Sequence, residues 1–183
     1  MSDPIDPDDF DNLPEDVEME PIPQVFHSFE HDEPFSECIE CKRSLESTTY
    51  VVRKSTSKGE VLFEFAMCMK CLFQMHKDFS QLTKERIEAF VEMNRQFYED
   101  IDKCNFCGIQ KEDCVEFGIG GVFYGRQMIK YQEPSLTCGS CSERVQSFIS
   151  PQTRRRIDEF IGDFLGGPPG IENPLPSDHL AFL

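Results

Sequence analysis

Eight of the nine cysteines fall into four Cys-x-x-Cys pairs, Cys38/Cys41, Cys68/Cys71, Cys104/Cys107 and Cys138/Cys141. Two intervening residues let a tight turn aim both sulfurs at one ion, and two pairs supply the four soft ligands of a tetrahedral divalent metal. The pattern predicts two closed four-sulfur sites and two zinc ions per chain; iron suits the same thiolates. A thiol–disulfide redox protein is the lesser reading, because that chemistry needs one exposed thiolate at a helix start in a βαβ setting. A catalytic zinc keeps an open position, usually with His or carboxylate ligands, whereas each site here closes on sulfur, so no enzyme is predicted. Cys114, the ninth cysteine, reads as a small half-buried residue near the second metal knuckle.

The pairs repeat. Cys38 and Cys41 map onto Cys104 and Cys107 by a shift of 66, and Cys68 and Cys71 map onto Cys138 and Cys141 by a shift of 70. The second copy therefore has four extra residues between its pairs (70 − 66). The shift of 70 persists downstream, where Thr83, Arg86, Ile87, Phe90 and Val91 align with Thr153, Arg156, Ile157, Phe160 and Ile161. A matched cap residue and a matched i, i+3, i+4 apolar stripe make duplication the economical explanation.

Within the first copy, residues 38–43 form a knuckle, and Thr48–Val52 and Glu60–Phe65 read as strands divided by the turn-prone Ser55–Gly59. Leu72, Phe73, Met75 and Phe79 follow the second pair, then Ile87, Phe90, Val91, Phe97 and Tyr98 at helical spacing behind Ser80 or Thr83 as N-cap. In the second copy Val145, Phe148 and Ile149 belong to a helix after Cys141. Ser150 caps a restarted helix with Pro151 at its first position, where the missing amide costs little. That helix carries Ile157, Phe160, Ile161, Phe164 and Leu165 and stops at Gly166–Pro169. His76 reads as structural, and Gly118–Gly121 lacks the Lys-Ser/Thr of a phosphate loop and sits where a strand belongs.

The order knuckle, hairpin, then Cys-x-x-Cys at the head of a helix resembles the treble-clef zinc finger in both copies. The predicted fold class is α+β, two tandem treble-clef-like zinc modules with a disordered acidic N-terminal tail. Cys104-Asn-Phe-Cys-Gly-Ile-Gln-Lys111 and Thr137-Cys-Gly-Ser-Cys-Ser-Glu-Arg-Val145 also resemble, over about a quarter of one module, the N-terminal zinc-binding domain of the Clp unfoldase ATPase. The resemblance implies Cys104, Cys107, Cys138 and Cys141 as metal ligands. It also implies a domain that recognises partners and pairs with itself.

The formal net charge of −16 is not spread evenly. Residues 1–37 hold thirteen Asp/Glu and no Lys or Arg, so the rest of the chain carries 21 acids against 18 bases, or −3. The predicted divisions are an acidic, Pro-containing, largely disordered leader (1–35), zinc module 1 (36–100), zinc module 2 (101–167) and a Pro-rich C-terminal tail (168–183). Apolar residues threaded through the leader suit docking on a partner or, from Val25 to Phe35, packing on the first module. Residues 1–11 lack the basic and apolar regions of a secretory signal, and no apolar run is long enough to span a bilayer, so a cytoplasmic protein without a membrane partner is predicted.

Function then rests on the surface. A protein-binding adaptor or scaffold with an unidentified protein partner is the first reading. Nucleic-acid binding is the alternative, through a polyanion-contacting face formed by Arg154, Arg155 and Arg156 with Arg126, Lys130 and Arg144. The overall negative field opposes that alternative. The opposed charges also predict that the acidic leader lies against the arginine run.

Overall fold

The computed structural model describes residues 11–13, 16–94, 101–129 and 135–166. Along the chain run β1 (Met19–Pro21), β2 (Thr49–Ser57), β3 (Glu60–Cys68), α1 (Met69–Lys77), α2 (Gln81–Asn94), β4 (Glu116–Tyr124), β5 (Gln127–Ile129), β6 (Ser135–Cys138), α3 (Gly139–Gln146) and α4 (Pro151–Phe160), which continues into a π turn, Ile161–Leu165. Helices beside an antiparallel sheet make this an α+β fold. Phe97, Tyr98, Lys130 and the tail 168–183 lie outside the described residues.

Both hairpins close through two-residue turns. Lys58 (φ 52°) and Gly59 (φ 84°) turn between the paired Ser57 and Glu60, so the turn falls inside the predicted Ser55–Gly59 stretch and β2 takes its first three residues. Paired positive φ values match the right-handed twist of the strands, which is why so short a turn suffices. In the second copy Gly125 (φ 55°) turns β4 into β5, and a Cβ there would lie 2.5 Å from the Glu46 carbonyl oxygen.

The two copies join in one sheet with order β1-β5-β4-β2-β3, and β6 pairs with β4 at its other end. β2 and β4 are equivalent under a shift of 67 (Thr49 to Glu116, Ser57 to Tyr124), and they pair antiparallel from Thr49↔Tyr124 to Ser57↔Glu116. At the middle of that register Arg53 faces Gly120, and 53 + 67 = 120, so a residue meets its own repeat equivalent. A local two-fold axis passes there. Gly118–Gly121 thus belongs to a strand. A side chain at Gly120 would collide with the Arg53 guanidinium, and a Cβ at Gly121 would come 2.8 Å from the Phe123 ring. The guanidinium donates to the Val52 carbonyl (3.2 Å) and, although part of the side chain meets solvent, burial pulls it down to about 10.

The same axis runs between the helix starts. Ser80 caps α2 by accepting from the Thr83 amide, and Ser150 caps α4 by accepting from the Thr153 amide, each at 3.2 Å. The caps are then exchanged across the axis: the Ser80 amide donates to Thr153 Oγ1 (3.0 Å) and the Ser150 amide to Thr83 Oγ1 (2.9 Å). The two serine hydroxyls lie 2.7 Å apart and the two threonine hydroxyls 3.1 Å apart, with both threonines fully buried. Orphan amides at two helix N-termini are therefore satisfied reciprocally.

From this knot each helix crosses to the other copy. Phe90 of α2 packs on Phe106 (4.8 Å between ring centres) and Phe148 (5.4 Å), both of the second copy. Its equivalent, Phe160 of α4, packs on Phe65 of the first copy at 5.3 Å. Phe26, Tyr50, Phe65, Ile119, Phe123, Leu136 and Phe160 belong to a single buried cluster that also includes Cys38, Cys68, Cys104 and Cys138.

Ile22, Val25, Phe26 and Phe35 of the leader pack against the core, the last three within the Val25–Phe35 stretch that the sequence suggested would dock. Met19–Pro21 pairs with β5, covering an edge that would otherwise expose unpaired backbone groups. Phe26 is fully buried against Phe123 at 5.1 Å. Lys54 then donates to the His27 carbonyl and pairs with Glu64 at 2.8 Å, while Glu64 accepts from Ser28 and the Phe29 amide. The packing around Val25 to Phe35 therefore bridges both copies, because the apolar residues threaded among the acids have a shared sheet face to bury. Among the described residues, Asp11 of the leader meets Arg43 (3.3 Å) and Glu33 meets Arg126 (4.0 Å).

Candidate metal centres

The knuckles repeat bond for bond. Lys42 (φ 60°) and Gly108 (φ 74°), equivalent under the shift of 66, turn the chain so that their amides donate to the carbonyls of Cys38 (3.0 Å) and Cys104 (2.8 Å). The amides of Cys38 and Cys104 donate in turn to Arg43 and Ile109. Ile39 is anchored to Ala66 and Asn105 to Leu136, each at 2.8 Å, which ties each knuckle to the strand carrying the second cysteine pair. That strand ends at Cys68 in the first copy and at Cys138 in the second. Each of these residues occupies the N-cap of the next helix, whose first turn holds Cys71 or Cys141.

Two clusters result, Cys38, Cys41, Cys68, Cys71 and Cys104, Cys107, Cys138, Cys141, with the sulfurs of each set within 4.8 Å of one another. Sγ of Cys41 and Cys68 are 3.8 Å apart, and Sγ of Cys107 and Cys138 are 3.7 Å apart. A tetrahedral ion about 2.3 Å from each sulfur has edges of about 3.8 Å, whereas a disulfide bond would hold its sulfurs at about 2.05 Å. The four thiols of each cluster thus fit a metal ion. All eight predicted ligands are brought together, four and four.

The surrounding backbone favours thiolate. The Cys68 amide donates to Cys38 Sγ and the Cys138 amide to Cys104 Sγ, both at 3.4 Å. A hydrogen bond from the Cys68 thiol, reinforced by backbone amides against the cost of burial, draws Cys38 down to about 4. Burial pushes Cys104 up, but the amides of Cys138, Cys107 and Phe106 outweigh it and leave Cys104 below its ordinary value. Hydrogen bonds to a charged form are a recognised way to stabilise it. Cys41 and Cys107 are exposed, while Cys38, Cys68, Cys104, Cys138 and Cys141 are buried.

Cys114 stands apart from both clusters and donates to the Gln110 carbonyl at 3.3 Å. His76 lies in α1 with its ring 5.1 Å from Phe79. The three arginines of α4 do not share a face, since successive helical residues point about 100° apart. Arg156 reaches Asp78 (3.2 Å) and Glu40 (3.9 Å) of the first copy, Arg154 donates to the Gln146 carbonyl (3.2 Å), and Arg155 is exposed. Arg144 lies over the Phe90 ring at 5.0 Å.

Glu40 was not singled out by the sequence. It sits inside the first knuckle, where burial raises its carboxyl and Arg156 counters the rise. Only its position between Cys38 and Cys41 and the charge of a distant arginine hinted at this contact. No helix among the described residues is long and apolar enough to cross a membrane. No family model, curated protein or solved structure matches the chain.

Proposed function

We propose that the chain is a cytoplasmic structural-zinc protein in which two treble-clef-like repeats form an interlocked platform for binding other proteins. The observation that carries this reading is closure of both candidate centres on four cysteine sulfurs, which leaves no ligand position for water or substrate. Knuckle, hairpin and helix-borne cysteine pair follow in treble-clef order in each half. Zinc suits four thiolates in tetrahedral arrangement, and paired free thiols suit a reducing compartment. The local resemblance to the Clp zinc-binding domain adds partner recognition as an expectation.

Charge supports protein over nucleic acid. Four thiolates on a divalent ion carry about −2 per site, and this adds to a chain already at −16. Arg154 donates to the Gln146 carbonyl, Arg156 pairs with Asp78 and Glu40 of the fold, and Arg144 lies over Phe90. Fluorescence anisotropy of the full-length protein with random-sequence duplex DNA and single-stranded RNA should show no salt-dependent association, while cross-linking in the source cells should join the chain to another protein. Tight nucleic-acid binding that falls steeply with salt and disappears in Arg155→Ala would make the polyanion reading the better one.

A further inference from the structure

Beside the second metal centre, the segment leading into β4 and the first turn of α3 enclose a cleft of about 290 Å³. Its carboxylates are Asp113, Glu116 and Glu143, and no Lys or Arg lines it. Ile109 and Val115, also in its wall, are 39% and 64% exposed, so apolar surface is presented beside acid. Glu116, Gly139 and Glu143 also line an inner pocket of about 40 Å³. Ser142 lines that pocket too. It is 8% exposed, and its hydroxyl is buried with no hydrogen-bond partner among the described residues.

These features select one kind of guest. The α3 N-terminus contributes about half a positive charge, but three carboxylates and a loaded four-thiolate centre at Cys138 outweigh it. Lys111 is held over the Phe117 ring at 5.5 Å, and the Lys58 backbone amide donates to the Val115 carbonyl at 2.8 Å. Neither lysine lines the cleft. The inner volume holds groups of about water size, each needing roughly 10–15 Å³. An ammonium fits that limit better than a planar guanidinium, and its three donors need acceptors. Ser57 Oγ donates to Glu116 Oε1 at 2.9 Å, which fixes that carboxylate beside Gly139 in the wall shared by the two cavities.

We infer that this cleft binds a lysine side chain of a partner protein, with the ammonium between Glu116 and Glu143 against the Ser142 hydroxyl and flanking apolar residues on Ile109 and Val115. The inference rests on the adaptor reading and names the chemistry of its partner. Charge complementarity supplies register and specificity, and the apolar rim packs the lysine stem and its neighbours.

The test titrates full-length, metal-loaded protein with a fluorescein-labelled, end-blocked peptide of sequence Val-Lys-Leu-Lys-Val. Acetylated-lysine and norleucine versions serve as controls, and Glu143→Lys and Ser142→Ala as variants. The lysine peptide should bind, acetylation should remove binding, and Glu143→Lys should weaken it by about tenfold or more. Far-UV circular dichroism should stay unchanged in Glu143→Lys, because that side chain is exposed. The inference is overturned if the norleucine peptide binds equally, if Glu143→Lys binds undiminished, or if spermidine displaces the peptide at equal concentration. A protein partner still captured by Glu143→Lys would overturn this cleft while leaving the adaptor reading intact.

Discussion

Cys68→Ser should unfold the entire described fold, not only the first repeat, with a loss of more than about 4 kcal/mol. Cys68 is a member of the four-sulfur cluster, occupies the N-cap position of α1, and lies in the single core that also contains Phe123, Leu136 and Phe160 of the second repeat. Removing a ligand therefore removes a metal and also loosens a wall of the shared core. Thermal unfolding followed by circular dichroism should show one cooperative transition in the parent chain and none, or one far lower, in the variant. Cys114→Ser is the matched control, and a change within about 1 kcal/mol is expected, because this thiol stands outside both clusters. Two separate transitions in Cys68→Ser, with the second repeat melting as in the parent, would show that the repeats are energetically independent.

Residues 36–100 and 101–166 expressed apart should each fail to give a folded monomer, and mixing them with metal should restore the fold. Separation breaks the β2–β4 ladder, leaves Phe90 and Phe160 without the rings they cover in the other repeat, and strips the exchanged caps at Ser80 and Ser150 of their threonine acceptors. Lost strand pairing and exposed aromatic rings cost more than a repeat of this size can offset from its own core. Amide hydrogen exchange on each fragment and on the mixture checks this. A fragment with native-like protection as a monomer would contradict the interlocked arrangement.

The two four-cysteine clusters were legible in the sequence because Cys-x-x-Cys spacing acts locally: a knuckle and the first helical turn are each set by a handful of neighbours. The same holds for Ser150 capping α4 with Pro151 at its first position, which the structure reproduces. The helix exchange was not legible. Phe90 and Phe160 announce an apolar stripe, but a stripe does not say which repeat it will cover. Arg53 opposite Gly120 could have hinted at the axis only to a reader who already knew that β2 and β4 pair. Packing of the leader's last part was legible in its threaded apolar residues, whereas the pairing of Met19–Pro21 was not, because it depends on a strand edge that β5 of the second repeat supplies. What the sequence did not show of the Arg154–Arg156 run is its dispersal around α4, where Arg156 reaches the first repeat, Arg154 donates to the Gln146 carbonyl and Arg155 is exposed. The acidic cleft drew no notice because Asp113, Glu116 and Glu143 meet only after β4 and α3 pack.

Native mass spectrometry of the full-length chain, purified without added metal, tests the central claim most directly. Two closed four-sulfur sites predict a mass increase of two zinc ions per chain, lost together with folded charge states on chelation and recovered on adding zinc. A chain that is folded yet carries one metal ion or none would contradict it.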